Sequence, residues 1–319
     1  MQNFLLLTRK ALNQRHRLSH QQIDDLLNEQ CAKEHLSEKH DQMFQVSEFI
    51  KLSDAFREAT VPFIPLKGPI LSYRLHKDAC YRYSSDLDFL IPLNAVKKAI
   101  FILKKNGYQP DGFSWPDNLN KERRVIKLTN QVSFVHPKKQ ITIEIHWKLF
   151  KLEITDSKVL DEVLKSNGIQ LRFHERKFQG FNNELELLYL IIHGGLHAWF
   201  RLKWLIDVKD FMEKIPIDTK KFTQLVLQCH ASRMVSLCNA MLANYFPECP
   251  VLPCKPVRNT KKQLEFAISQ IEKEDFYNRS FLEKIKIYWF TMQCFSGFRF
   301  KLSVFYSRYL NSFEFHRTS

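Results

Sequence analysis

Apolar residues recur at helical spacing along most of the chain and at strand spacing in a short central stretch. Over residues 3–60 the pattern is helical. Phe49, Leu52 and Phe56 fall at i, i+3 and i+7, with Val46 a turn earlier and Ile50 beside them. Between 20 and 38 the segment is polar, and Ile23, Leu26 and Leu27 form its apolar stripe. This predicts a helical lead-in that packs on the part of the chain after it. Residues 61–66 read as a short strand, and Lys67-Gly68-Pro69 opens a helix over 70–75. Proline is tolerated there, because the N–H it lacks would be unpaired in a first turn.

Leu87, Phe89, Leu90 and Ile91 predict a buried strand stopped by Pro92. A helix over 94–105, with Ala95, Ala99, Ile102 and Leu103 as its stripe, ends at Asn106-Gly107. Residues 110–124, with Pro110, Gly112, Pro116, Asn118 and Asn120, read as loop. Residues 131–135 and 140–147 predict a hairpin joined by His136-Pro137-Lys138-Lys139. A helix near 157–165 and strands at 170–174 and 177–181 come next. From Asn183, read as an N-cap with Glu184 and Glu186 in the first turn, the pattern is helical nearly to the end. Helices are expected at about 218–246, 259–274 and 278–315, broken at 247–256 and 275–278. The fold class is α/β (α+β), a small mixed sheet with flanking helices. Three parts are expected: a helical N-terminal segment (1–60), a core holding the strands (61–181) and a helical C-terminal subdomain (182–319).

The chemistry concentrates on the strands. Asp86 and Asp88 are two apart, so both project from one side of an otherwise apolar strand. Ionised carboxylates this close repel unless a cation lies between them, and carboxylate oxygens suit Mg²⁺. A solvated strand end is the competing reading. In the later strand Ile141, Ile143 and Ile145 alternate with Thr142, Glu144 and His146. If the two strands are neighbours, Glu144 becomes a third carboxylate facing the pair. Losing one of several repelling acids would then cost little stability. Gly68 lets a phosphate approach the backbone, and a helix N-terminus attracts anions; an ordinary strand-to-helix turn has the same sequence. Lys67 and Arg82 are candidates to bind phosphate, with Ser85 beside the acids, although Arg82 is equally a salt-bridge partner for a nearby Asp. His193 and His197 lie at i, i+4, with Arg201 on the same face if the helix runs through Gly194-Gly195. Gly194 follows His193, so the His-Glu-x-x-His zinc arrangement is absent. With His146 and Lys203 these residues are candidates to line a cleft opposite the acids. Trp147, Trp199 and Trp204 read as core rather than base-stacking platforms.

A formal charge of +14 in 319 residues favours an anionic partner, whether nucleotide, nucleic acid or acidic membrane surface. Seven scattered cysteines with no CxxC, Cys31 among them, suit reduced thiols. Residues 1–10 lack a signal-peptide pattern, and the uncharged apolar run over 287–298 is too short to span a bilayer. A soluble cytoplasmic protein without stable membrane insertion is expected. Residues 278–315 interleave Lys284, Lys286, Arg299, Lys301 and Arg308 with aromatics, among them Tyr288, Trp289, Phe290, Phe295, Phe298, Phe300, Phe305, Tyr306 and Tyr309. Such a mix can stack bases, lie on an anionic membrane or form a core with a basic rim. The last is expected, because so many exposed aromatics would promote association.

Four blocks in order resemble a known family: Phe63-Ile64-Pro65-Leu66-Lys67-Gly68, then Arg82 with Asp86-Leu87-Asp88, then Glu144-Ile145-His146-Trp147, then His193 through Asp207. Over roughly residues 40–210 the chain resembles a largely uncharacterised nucleotidyltransferase family with the DNA polymerase β-type fold. The resemblance implies a Gly turn at Gly68, paired metal ligands in Asp86 and Asp88, and Glu144 as the third carboxylate. It also implies Mg²⁺ (or Mn²⁺) as cofactor and ATP or another NTP as donor, with an acceptor hydroxyl on a small molecule, an RNA or a protein. A toxin-like enzyme that modifies tRNA, and a non-catalytic nucleotide- or RNA-binding module, share the fold. The three intact acids argue against the module. The acceptor and the oligomeric state are not legible in the sequence.

Overall fold

The computed structural model describes residues 7–29, 32–112, 115–116, 118–150, 152, 154–254, 257, 261–273, 280–295, 297–298 and 300–305. Cys31, Arg299, Arg308 and the expected break at 275–278 lie outside them. The chain divides into two compact units. One draws on Met1–Leu18, Leu152–Gly168 and Phe181–Ser319, the other on Ser19–Lys151 and Ile169–Gly180.

The second unit holds the sheet. Helices α1 (His20–Leu27) and α2 (Ala32–Glu58) lead into β1 (Ile64–Leu66), α3 (Gly68–His76), β2 (Asp86–Leu90), α4 (Val96–Lys105), β3 (Gln109–Pro110), α5 (Leu119–Leu128), β4 (Gln131–His136) and β5 (Ile141–His146). The strands form one sheet in the order β1-β2-β5-β4-β3. Only β2 and β5 run parallel; every other pair is antiparallel. Alternation along β2, β4 and β5 turns Leu87, Phe89, Val132, Phe134, Ile143 and Ile145 to one face, where all are buried. Phe49 and Phe56 of α2 pack there. Their rings lie 5.8 and 5.3 Å from the ring of Phe89, and Phe63 adds a third ring at 5.6 Å. The hairpin β6 (Gly168–Phe173) and β7 (Arg176–Phe181) brings Phe173 and Phe178 to 5.7 and 5.3 Å from Phe49.

Residues 110–124 are not wholly loop. Asn118 caps α5, its side-chain oxygen accepting from the backbone N–H of Asn120 at 2.8 Å. An asparagine that suggests a turn is here a helix start. In the same way the cap of the long central helix is Asn182, not Asn183, with its side chain accepting from Leu185 N–H at 2.9 Å.

The other unit is helical. A short π-helical turn, Ala11–Arg15, precedes α6 (Ser157–Ser166), α7 (Asn183–Leu196), α8 (Leu202–Lys214), α9 (Thr219–Gln228), α10 (Ser232–Tyr245), α11 (Lys261–Glu272) and α12 (Phe281–Cys294). Helix α7 is buried nearly all round, as a central helix must be, and packs against α8, α9, α10 and α12. Gly194 and Gly195 permit this, since a Cβ on either would overlap the Trp199 ring or the Met234 sulfur. Trp147, Trp199 and Trp204 are buried. The guanidinium of Arg15 donates to the carbonyls of Phe200 (2.5 Å), Gln270 (2.8 Å) and Lys273 (3.3 Å). No disulfide joins the six described cysteines. No described helix is long and apolar enough to cross a membrane.

The C-terminal aromatics correct the expectation of a uniform core. Phe290, Phe295 and Phe300 are buried, whereas Trp289, Phe298 and Phe305 are exposed. Interleaved aromatics cover every side of a helix, and only the side facing α7 and α11 is packed.

Candidate active site

The parallel pairing of β2 with β5 sets the site. Asp88 stands opposite Glu144, Asp86 opposite Thr142 and Leu90 opposite His146. All these side chains project from the face opposite the phenylalanine core. His146 Nε2 lies 3.4 Å from Asp88 Oδ1 and 3.2 Å from Glu144 Oε2. Ser133, the β4 partner of Glu144, has its hydroxyl 3.4 Å from Glu144 Oε1, and Asn130 Nδ2 lies 3.4 Å from His146 Nδ1. Among the described residues, Asp88, Glu144 and His146 form the one group of three metal-ligating side chains, with donor atoms all within 4.8 Å of one another. Asp86 is outside that trio, two residues along the same strand face.

Lys67 reaches the trio from the other side. In the antiparallel β1–β2 pair Leu66 is opposite Asp88, so the next residue begins beside the acid. Lys67 Nζ lies 3.2 Å from Asp88 Oδ2. Its backbone has φ 53° and ψ −131°, a region costly for a residue with a Cβ, and Gly68 comes next at φ +54°. Such strain costs about 1–3 kcal/mol and persists only where the surroundings impose it. Here β1 fixes one side and Pro69 in the first turn of α3 the other.

The segment ahead of Asp86 is held by polar contacts that local sequence does not reveal. Gln42 of α2 accepts from Ser84 N–H at 2.9 Å and donates to Ser84 C=O at 3.2 Å. The Ser84 hydroxyl donates to Asp86 C=O at 2.9 Å. Ser72 of α3 donates to Asp78 C=O at 2.6 Å and accepts from Arg82 N–H at 3.0 Å. Arg82 is buried and Ser85 half-buried. The only hint of Gln42 is a polar residue among positions that bury; His146 could be found from its two-residue spacing after Glu144.

His193, His197, Arg201 and Lys203 belong to the helical unit. Helix α7 ends at Leu196, so Arg201 does not continue its face but caps α8. The His193 and His197 rings are 4.9 Å apart and lie 5.3 and 5.0 Å from Trp204. The Arg201 guanidinium lies over Phe200 and Trp204, at 5.2 and 5.6 Å.

Electrostatics separates the two acids. Burial alone would raise the Asp88 pKa, but the Lys67 ammonium and His146 outweigh it and hold the carboxyl well below the usual range. Glu144 is raised, by burial first and by the charges of Asp88 and Asp86 after the relief from His146. Burial would lower His146, yet hydrogen bonds to Asp88 and Glu144 push it up to about 9. His146 thus binds its proton more tightly folded than unfolded. Its contribution is full below its ordinary value of 6.5 and is lost as the pH rises through about 9. Protein kept in chelator should lose roughly 3 kcal/mol across that window, measured by urea unfolding, and His146→Gln should flatten the loss. An equal slope in the variant would place the titration elsewhere.

No curated protein matches the chain. The model of a family described as uncharacterised nucleotidyltransferases matches residues 12–247, spanning the paired acids on β2 and β5 and the helices α7 to α10, so the chain belongs to that family and is a transferase of phosphorus-containing groups.

Proposed function

We propose that the protein is a cytoplasmic, Mg²⁺-dependent enzyme that moves a nucleoside monophosphate from an NTP to an acceptor hydroxyl. The observation that carries this is the register of Asp88 against Glu144 on parallel neighbours, with His146 completing a donor set within 4.8 Å. Two carboxylates and an imidazole fit Mg²⁺ or Mn²⁺, the imidazole favouring the latter. Asp88, Glu144 and His146 would hold the ion, with Asp86 as a further carboxylate on the same face. When bound, such a cation neutralises charge on the attacking and leaving oxygens.

The chain's own groups do the rest. Lys67, Gly68 and Arg82 would bind the triphosphate, Lys67 as a point charge and Arg82 through its planar fork. Ser85, next to Asp86, would add a hydroxyl to that binding. Glu144 takes the acceptor proton. The acceptor oxygen bonds to the α-phosphorus, the bond from that phosphorus to the α–β bridging oxygen breaks, and pyrophosphate departs with its electron pair. His193, His197, Arg201 and Lys203 are offered as acceptor-facing residues of the helical unit.

Incubation with each α-labelled NTP, Mg²⁺ and fractionated cell extract should place label in one fraction, and Asp88→Asn should abolish it. Label released only as free nucleotide, or none with any NTP, would leave a binding module as the better description.

A further inference from the structure

Nucleotidyl transfer does not account for two exposed apolar stripes of the helical unit. On α12 Phe290 and Cys294 are buried, whereas Leu282, Ile285 and Trp289 are exposed at i, i+3 and i+7. They form a single stripe turned away from the packed side. The pattern repeats beyond Phe295. Phe298, Phe300 and residues 301–305 are helical; Phe300 and Val304 are buried at i, i+4, and Phe298, Leu302 and Phe305 are exposed on the opposite side. Leu282 is 68% exposed, Trp289 59%, Phe298 74% and Phe305 55%, far more than a packed residue shows. Lys284 and Lys286 are exposed on the first helix, and Lys301 falls within the second stripe. After Glu283 the sequence carries Lys284, Lys286, Arg299, Lys301, Arg308 and Arg317 against a single acid, Glu314.

We propose that these two stripes dock on an anionic lipid surface, their Trp and Phe rings seated at headgroup depth and the neighbouring lysines against the anionic headgroups. Helices that lie in a membrane interface pair such an apolar stripe with Lys and Arg. The charge selects an anionic partner. The stripes themselves select lipid over single-stranded nucleic acid. Leu282, Ile285 and Leu302 are half of the exposed residues and have no flat face on which a base can stack. A second copy of the chain would set lysine against lysine. No described helix can cross a bilayer, so the contact lies in the plane of the surface. This inference does not depend on the transfer reaction.

The test is flotation of the full-length protein with phosphatidylcholine vesicles containing phosphatidylserine at roughly one part in three, as in strongly anionic leaflets. Flotation is expected at low salt, weakened by added salt and nearly absent with phosphatidylcholine alone. Replacing Lys284, Lys286 and Lys301 by Gln should lower binding about 100-fold, roughly five-fold per lysine. Replacing Trp289, Phe298 and Phe305 by Ser should abolish it, with thermal melting by circular dichroism unchanged in both variants. No flotation on the anionic vesicles, or flotation of either variant equal to that of the wild type, overturns the proposal. So does a wild-type dimer that the Ser variant disperses, or single-stranded RNA binding that the Ser variant loses while its flotation persists.

Discussion

Asp88→Asn is expected to lower transfer at least about 1,000-fold, some 4 kcal/mol of transition-state stabilisation, and to destabilise the metal-free protein by roughly 2–4 kcal/mol. The first effect comes from the central position of Asp88 between Glu144 and Lys67. The second reverses what the sequence suggests, since two adjacent acids should repel and losing one should cost little. The structure places Lys67 Nζ at 3.2 Å and His146 Nε2 at 3.4 Å from this carboxylate, with Lys67 only 13% exposed. Asparagine therefore leaves a nearly buried ammonium without this counter-charge. Urea unfolding in chelator measures the loss. The double variant Lys67→Met/Asp88→Asn should recover most of the stability and none of the activity. A single variant that unfolds like the wild type would mean the pair contributes nothing.

Phe89→Ala should cost about 3–5 kcal/mol, the usual range for emptying a phenylalanine site in a core. Phe89 is fully buried, with the rings of Phe49, Phe56 and Phe63 within 6 Å, so no neighbour can close the gap without abandoning another contact. It is also the next residue after Asp88, so a shift of β2 into the cavity would carry the carboxylate with it. Transfer should fall even where the protein remains folded. Phe89→Leu keeps most of the volume and should cost under about 2 kcal/mol. The change should appear in the unfolding transition of the sheet-bearing unit; a transition that moves by less than half of this would show that the core relaxes.

The hairpin of β4 and β5 was legible because its alternation is local and its turn is polar. The acids were legible as a pair because a two-residue spacing fixes a common face. The neighbour relation of β2 and β5 was not, since 50-odd residues separate them and a parallel register leaves no local mark. The Lys67 contact was hidden for another reason. Only a left-handed backbone at Lys67 aims that side chain at Asp88, and nothing in Leu-Lys-Gly-Pro demands it. Capping asparagines misled by one residue at Asn182 and by a whole helix start at Asn118, because the same amide serves turns and helix ends. At the C-terminal helices the aromatics fill several faces, so periodicity could not say which stripe meets the core.

Arg15 has to wait for its partners. The chain passes between the two units four times, at residues 18/19, 151/152, 168/169 and 180/181. The carbonyls that Arg15 binds on Gln270 and Lys273 are more than 250 residues downstream. During synthesis the sheet-bearing unit is complete once Gly180 has emerged. The Phe200 carbonyl follows soon after, but the last carbonyl that Arg15 binds is 93 residues past Gly180 (273 − 180). At about 5–20 residues per second that is roughly 5–20 s. In that interval, of the three carbonyls, Arg15 can bind only that of Phe200, while His16 can accept from the Leu202 N–H, so this stretch docks in two steps, first at the start of α8 and later at the end of α11.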